Sequence, residues 1–132
     1  MIDYQERFSD AQAITVDAAS TNYIDTQVAG RAYDEQWLEV MVNTTFDTTG
    51  EGGTLVVKLQ TDSASTFDSP ATDLYTSASF AESALVAGTK LIQMRLPEGL
   101  ERYIRLYFDV NNSDAFTAGK VDAYLTGAPR LS

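Results

Sequence analysis

Asp109 to Asp114 read Asp-Val-Asn-Asn-Ser-Asp, which places side-chain oxygens at alternate positions, the spacing with which a loop can wrap a calcium ion. Such a loop needs a glycine at its sixth position and an acid at its twelfth, and here those positions hold Asp114 and Lys120. The stretch is therefore read as an Asn/Asp-rich turn, and no metal is assigned. Two carboxylates can hydrolyse a glycoside when their environments hold one protonated and the other ionised. The acids here fall mainly in turns or at outward strand positions, and no pair stands apart from the rest. The chain has no His and no Cys. That removes the Ser-His-Asp and Cys-His nucleophile systems, thiolate metal sites, disulfides and the commonest transition-metal ligand. No phosphate-binding glycine loop and no nucleophile-elbow motif occurs either. The expectation is a non-enzymatic chain with no cofactor.

A different chemistry is written between Glu101 and Tyr107. Alternation puts Tyr103, Arg105 and Tyr107 on one face of a strand, with Arg102 at its start. Arg and Tyr combine flat contact area with directional hydrogen bonds and are enriched where proteins meet. The plainer reading is an ordinary sheet face on which Arg stems cover Tyr rings and cross-strand acids balance the charge. Near the N-terminus, Tyr4 and Phe8 are added as interface candidates. The stretch through Ser20 mixes apolar and polar residues without an obvious hairpin partner, so it is read as an arm and first strand that either frays or, in an assembly, orders on a neighbour.

The elements that position these residues repeat with period two. Ile104, Leu106, Phe108 and Val110 share one face of Tyr103–Val110, and Leu55, Val57 and Leu59 share one face of Thr54–Asp62. Trp37 to Phe46 alternates in the same way. Weaker strands are predicted at Ala13–Val16, Asn22–Asp25, Leu74–Ser79, Lys90–Leu96 and Thr117–Thr126, with one turn of helix within Ala81–Val86. Thr48-Thr49-Gly50-Glu51-Gly52-Gly53, Pro97-Glu98-Gly99 and Asn111-Asn112-Ser113-Asp114 read as hairpin tips. The long polar connection Ser63–Thr72 reads as a crossing between sheets. The result is an all-β, single-domain antiparallel sandwich over residues 21–132, an eight-stranded jelly roll in preference to a barrel, preceded by the arm of residues 1–20.

With 132 residues and a hydrophobic fraction of 44%, the chain can bury an ordinary core. Nineteen acids against nine basic residues give a net charge of −10. That sign repels phosphate backbones and anionic membranes, so neither nucleic acid nor membrane is expected as a partner. The first residues show no basic and apolar leader and no run reaches a membrane span, so synthesis in a cytoplasm is expected, followed by solution or assembly.

Several stretches together resemble a known family. Phe8-Ser9-Asp10-Ala11-Gln12-Ala13-Ile14-Thr15 is followed by Ala19-Ser20-Thr21-Asn22-Tyr23-Ile24-Asp25. Leu55 to Asp62, Leu85-Val86-Ala87-Gly88-Thr89, Glu101 to Leu106 and Thr117-Ala118-Gly119-Lys120-Val121 come after, in the same order. In this joint order the chain resembles the small capsid cement proteins of tailed phages, of the type found on a Bordetella podophage. The resemblance implies a jelly-roll subunit on the outer surface of an HK97-type shell, made in the host bacterial cytoplasm, bridging adjacent capsomers once the shell has expanded. Its implied partners are the major capsid protein and a second copy of itself, a dimer in preference to a trimer. Two rivals stand beside it: a carbohydrate- or receptor-binding sandwich, for which Trp37 would have to form an exposed platform, and a tail or baseplate accessory protein.

Overall fold

The computed structural model describes residues 7–25, 37–48, 53–67, 71–95, 101–110 and 116–126. Two strands show most directly why the chain pleats. In β5 (Thr54–Asp62) and β9 (Tyr103–Val110) apolar residues recur at every second position, so each strand has one oily face. Leu55, Val57, Leu59, Ile104, Leu106 and Phe108 are all fully buried, and β5 pairs with β9 antiparallel from Leu55 to Asp62. Facing them, β4 (Trp37–Thr48) and β10 (Phe116–Thr126) bury Leu38, Val40, Val42, Val121, Ala123 and Leu125. One apolar cluster joins the two sets. Each large side chain in it contributes roughly 1.5–3 kcal/mol through removal from water, and this holds the sheets face to face.

The remaining strands are β1 (Arg7–Ala13), β2 (Ala18–Ala19), β3 (Ile24–Asp25), β6 (Thr72–Thr76), β7 (Phe80–Ala81) and β8 (Lys90–Arg95). Sheet I has the order β1-β10-β4-β8. Sheet II runs β2-β9-β5-β6, with β3 also on β9 and β7 also on β5. Among the described residues the ten strands are therefore eight ribbons, because β2 and β3 form one interrupted edge of sheet II and β6 and β7 the other. The single 3₁₀ turn among them, Glu82–Ala84, lies where a turn of helix is expected.

Both interruptions are bridged by a serine in the same way. Ser20 donates its backbone N–H to the Leu106 carbonyl at 2.8 Å, and its Oγ accepts the Leu106 N–H at 3.1 Å. Ser77 repeats the pattern on Val57, with both distances 2.9 Å. A hydroxyl thus stands in for a carbonyl that the bulged edge has turned away. Removing it strands a buried N–H, at a cost of about 1–3 kcal/mol. Ser77→Ala and Ser20→Ala are each expected to lower the unfolding free energy by that amount, read from urea denaturation, while keeping the fold. A loss below about 0.5 kcal/mol, within the range of an ordinary surface change, would show that the hydroxyls are not the acceptors that matter.

Four sequence expectations change. Residues 49–52, 97–99 and 111–114 lie outside the described residues, but the strands flanking each belong to opposite sheets: β4 to β5, β8 to β9 and β9 to β10. The strands on either side of each stretch are therefore not hairpin partners. Conversely, β5 pairs with β6 antiparallel, so Ser63–Thr72 spans a hairpin rather than a crossing. The N-terminal stretch is not a free arm from Arg7 onward. β1 pairs with β10, and Phe8 and Ile14 are fully buried. The strand expected at Ala13–Val16 ends where it was expected to begin. Gln12 ties this edge to sheet II, accepting from Ser9 Oγ at 2.6 Å and Thr21 N–H at 2.8 Å and donating to the Ala19 carbonyl at 2.9 Å. Residues 1–6 lie outside the described residues.

Candidate interaction surface

With Ile104, Leu106 and Phe108 turned inward, β9 must present Tyr103, Arg105, Tyr107 and Asp109 to the outside of sheet II. Their cross-strand partners on β5 are Asp62, Gln60, Lys58 and Val56. A polar chain runs across three strands here. Gln60 Nε2 donates to Asp73 Oδ1 on β6 at 2.9 Å, and Gln60 Oε1 accepts from Arg105 Nε at 2.8 Å. The Asp73 carboxylate can only accept, so it fixes which way the Gln60 amide points and turns its oxygen toward Arg105. One layer along, Lys58 Nζ lies 4.0 Å from Asp73 and 3.8 Å from Asp109. Arg102 grips Asp25 on β3 with two bonds, 2.9 and 3.0 Å. That hydrogen bond, and then the charge of Asp25, raise the Arg102 guanidinium still further above its ordinary value.

An aromatic layer lies over this face. The Asp62 carboxylate accepts from the Ser63 N–H at 2.6 Å and the Ala64 N–H at 3.4 Å, turning the chain as it leaves β5. Three residues on, Phe67 takes a positive φ of 54° and closes the turn onto the Ala64 carbonyl at 3.1 Å. Its ring is buried at 7% exposure yet lies outside the main core cluster. Instead the Arg105 guanidinium sits 4.5 Å from the Phe67 ring centre and 5.8 Å from that of Tyr107. Tyr23 meets Phe67 edge-on at 6.1 Å and Tyr103 edge-on at 5.5 Å, and remains 49% exposed. Edge-to-face rings and stacked guanidinium groups are favourable geometries, each worth about 0.5–1.5 kcal/mol. The layer is thereby held in place before anything meets it.

Of the residues singled out in the sequence, Arg102, Tyr103, Arg105 and Tyr107 come together on this face. Phe8 does not: it is 0% exposed inside the sandwich, which withdraws it from any contact surface. Tyr4 lies outside the described residues. Sequence reasoning missed Tyr23, Asp25, Gln60, Phe67 and Asp73. One signal was present, since Phe67 is the lone aromatic in the polar stretch Ser63–Thr72. A large apolar side chain in such a loop has to find cover.

The outside of sheet I is different. Glu39 is 7% exposed and accepts from Lys90 Nζ at 3.2 Å and Gln93 Nε2 at 2.9 Å. Tyr124 lies opposite it on β10, and its phenol is raised above its ordinary value, first by burial and then by the Glu39 charge. Trp37 is half-buried at the start of β4, paired with Arg95. Among the described residues no group of three or more acids could hold a metal ion, and no helix is long and apolar enough to cross a membrane.

Two antiparallel sheets on a shared core, one with an Arg- and Tyr-covered outer face, define the class as an all-β sandwich with a candidate contact surface. The chain belongs to the Bbp16 family, whose model matches residues 8–125. That span runs from Phe8 in β1 to Leu125 in β10, so the family unit takes in every described strand. No curated protein matches the chain.

Proposed function

We propose that the protein is a capsid cement subunit that binds the outside of an expanded phage shell and bridges neighbouring capsomers. The observation that carries this reading is the family match across the whole sandwich, in a family whose name points to a Bordetella phage protein. The resemblance of its ordered stretches to phage cement proteins adds to it. Numbered as eight ribbons, sheet I runs 1-8-3-6 and sheet II 2-7-4-5, and we read this order as that of a jelly roll. The net charge of −10 suits the outer rather than the DNA-facing side.

The mechanism is mechanical and needs no catalytic group. A ligand that binds only the assembled shell stabilises it over its dissociated parts, by about 2.7 kcal/mol per site at a hundredfold excess over Kd. A subunit touching two capsomers, or a dimer of such subunits, gains further because the second contact is intramolecular, so weak contacts sum to firm attachment. Thermal disruption of purified expanded shells tests this. The proposal expects saturating protein to raise the disruption temperature in a concentration-dependent way. An unchanged temperature with folded protein in excess would refute it and favour a tail-accessory or sugar-binding role.

A further inference from the structure

The described half-buried cations are Arg7, Lys58 and Arg105. Arg7 lies 3.0 Å from Asp10, and Lys58 lies within 4.0 Å of both Asp73 and Asp109. Arg105 alone among the three has no carboxylate within reach among the described residues. Its hydrogen-bond partner is the neutral amide of Gln60, which engages Nε and leaves both Nη groups without a described partner. A guanidinium partly withdrawn from water gains most from an anion that matches its planar fork, and a carboxylate does so with two parallel bonds.

The surroundings hold Arg105 ready for such a partner. The Phe67 and Tyr107 rings lie 4.5 and 5.8 Å from its Cζ, Gln60 engages its Nε, and Asp73 holds Gln60. These contacts reduce the side-chain freedom that a partner would otherwise have to remove. We propose that Arg105 is the anchor of the shell contact and takes a single carboxylate from an acidic side chain of the capsid protein. This rests on the cement reading and names the chemistry of its contact. Charge argues for a lone carboxylate over an extended polyanion. A chain of net charge −10 repels a phosphate polymer at a distance, whereas one acid on an otherwise neutral patch is felt only within about 8–10 Å. The nearby acids Asp25, Asp73 and Asp109 are each engaged by Arg102, Gln60 or Lys58, and Asp62 accepts from the Ser63 and Ala64 N–H groups, so among the described residues Arg105 is left without a carboxylate partner.

The test is binding to expanded, cement-free shells by wild type, Arg105→Gln, Arg105→Lys and Gln60→Glu, with folding checked by near-UV circular dichroism. Gln60→Glu is nearly isosteric and supplies an internal carboxylate that competes for Arg105. It decides the matter if Arg105→Gln fails to fold. The expected result is at least about a tenfold loss of affinity for Arg105→Gln and Gln60→Glu, a smaller loss for Arg105→Lys, and a weaker salt dependence for Arg105→Gln. Folded Arg105→Gln and Gln60→Glu proteins that both bind within about threefold of wild type, less than 1 kcal/mol, would overturn the anchor and leave the cement role standing. Failure of wild type to bind would overturn both.

Discussion

Gly119→Ala is expected to destabilise the sandwich by about 4 kcal/mol, the sum of two separate costs of similar size. Gly119 lies within β10 at a φ of +136°, a backbone angle that side-chain-bearing residues rarely adopt. A Cβ built there would stand 2.4, 2.4 and 2.7 Å from three atoms of the Phe46 ring. That ring has no room to retreat, because it is 3% exposed and packs edge-on against Phe116 at 4.8 Å. The register between β10 and β4 also shifts on either side of this point, which is how the strand turns its bare backbone onto the ring. In urea the variant should lose about 4 kcal/mol with an unchanged slope. Phe46→Leu in the same chain should recover part of the loss, since the two residues share one volume and their effects will not add. A loss under about 1 kcal/mol would mean that β10 does not pass Phe46 as described.

Phe8→Ala is expected to cost a comparable amount, about 3–5 kcal/mol, the usual cost of emptying a buried aromatic site. What makes it informative is the contrast with the sequence reading. An arm that orders only on assembly would lose almost nothing in the isolated subunit when Phe8 is truncated. A first strand whose Phe8 is 0% exposed would lose a large share of a typical total stability. Thermal melting of the isolated protein separates the two, because each kcal/mol moves the midpoint by roughly 2–8 °C for a domain near this size. A shift of no more than a degree or two would return β1 to the status of an arm.

These two positions also show what a sequence can and cannot disclose. Alternation of Leu55, Val57 and Leu59 and of Ile104, Leu106 and Phe108 located β5 and β9 to the residue, because period two is a direct imprint of a half-buried strand. Turn residues marked where the chain reverses, but not what it reverses onto. Gly and Pro report backbone angles, and the same angles serve a hairpin or a jump to the facing sheet. Hence the three turn-rich stretches were read as hairpins although the strands flanking each are not partners, and Ser63–Thr72 was read as a crossing although it closes β5 onto β6. Phe8 was misplaced for a related reason: β1 finds its partner in β10, more than a hundred residues away, and nothing local announces that.

The candidate surface was legible in half. Strand periodicity alone brought Tyr103, Arg105 and Tyr107 together, and proximity in sequence added Arg102. The partners that set their orientation arrive from other elements: Asp25 from β3, Gln60 from β5, Asp73 from β6 and Phe67 from the hairpin. Each is an unremarked polar or apolar residue in its own segment. Register and chain reversal, rather than any motif, make them neighbours, and this is why the surface could be suspected from the sequence but not assembled from it.

Binding of the purified protein to phage shells, expanded and cement-free against unexpanded procapsids, bears most directly on the proposed cement role. A cement subunit should bind the expanded shells saturably and procapsids much more weakly, because capsomers in a procapsid have not reached their final spacing. Folded protein that binds neither form, or both equally well, would contradict a clamp that recognises the expanded shell.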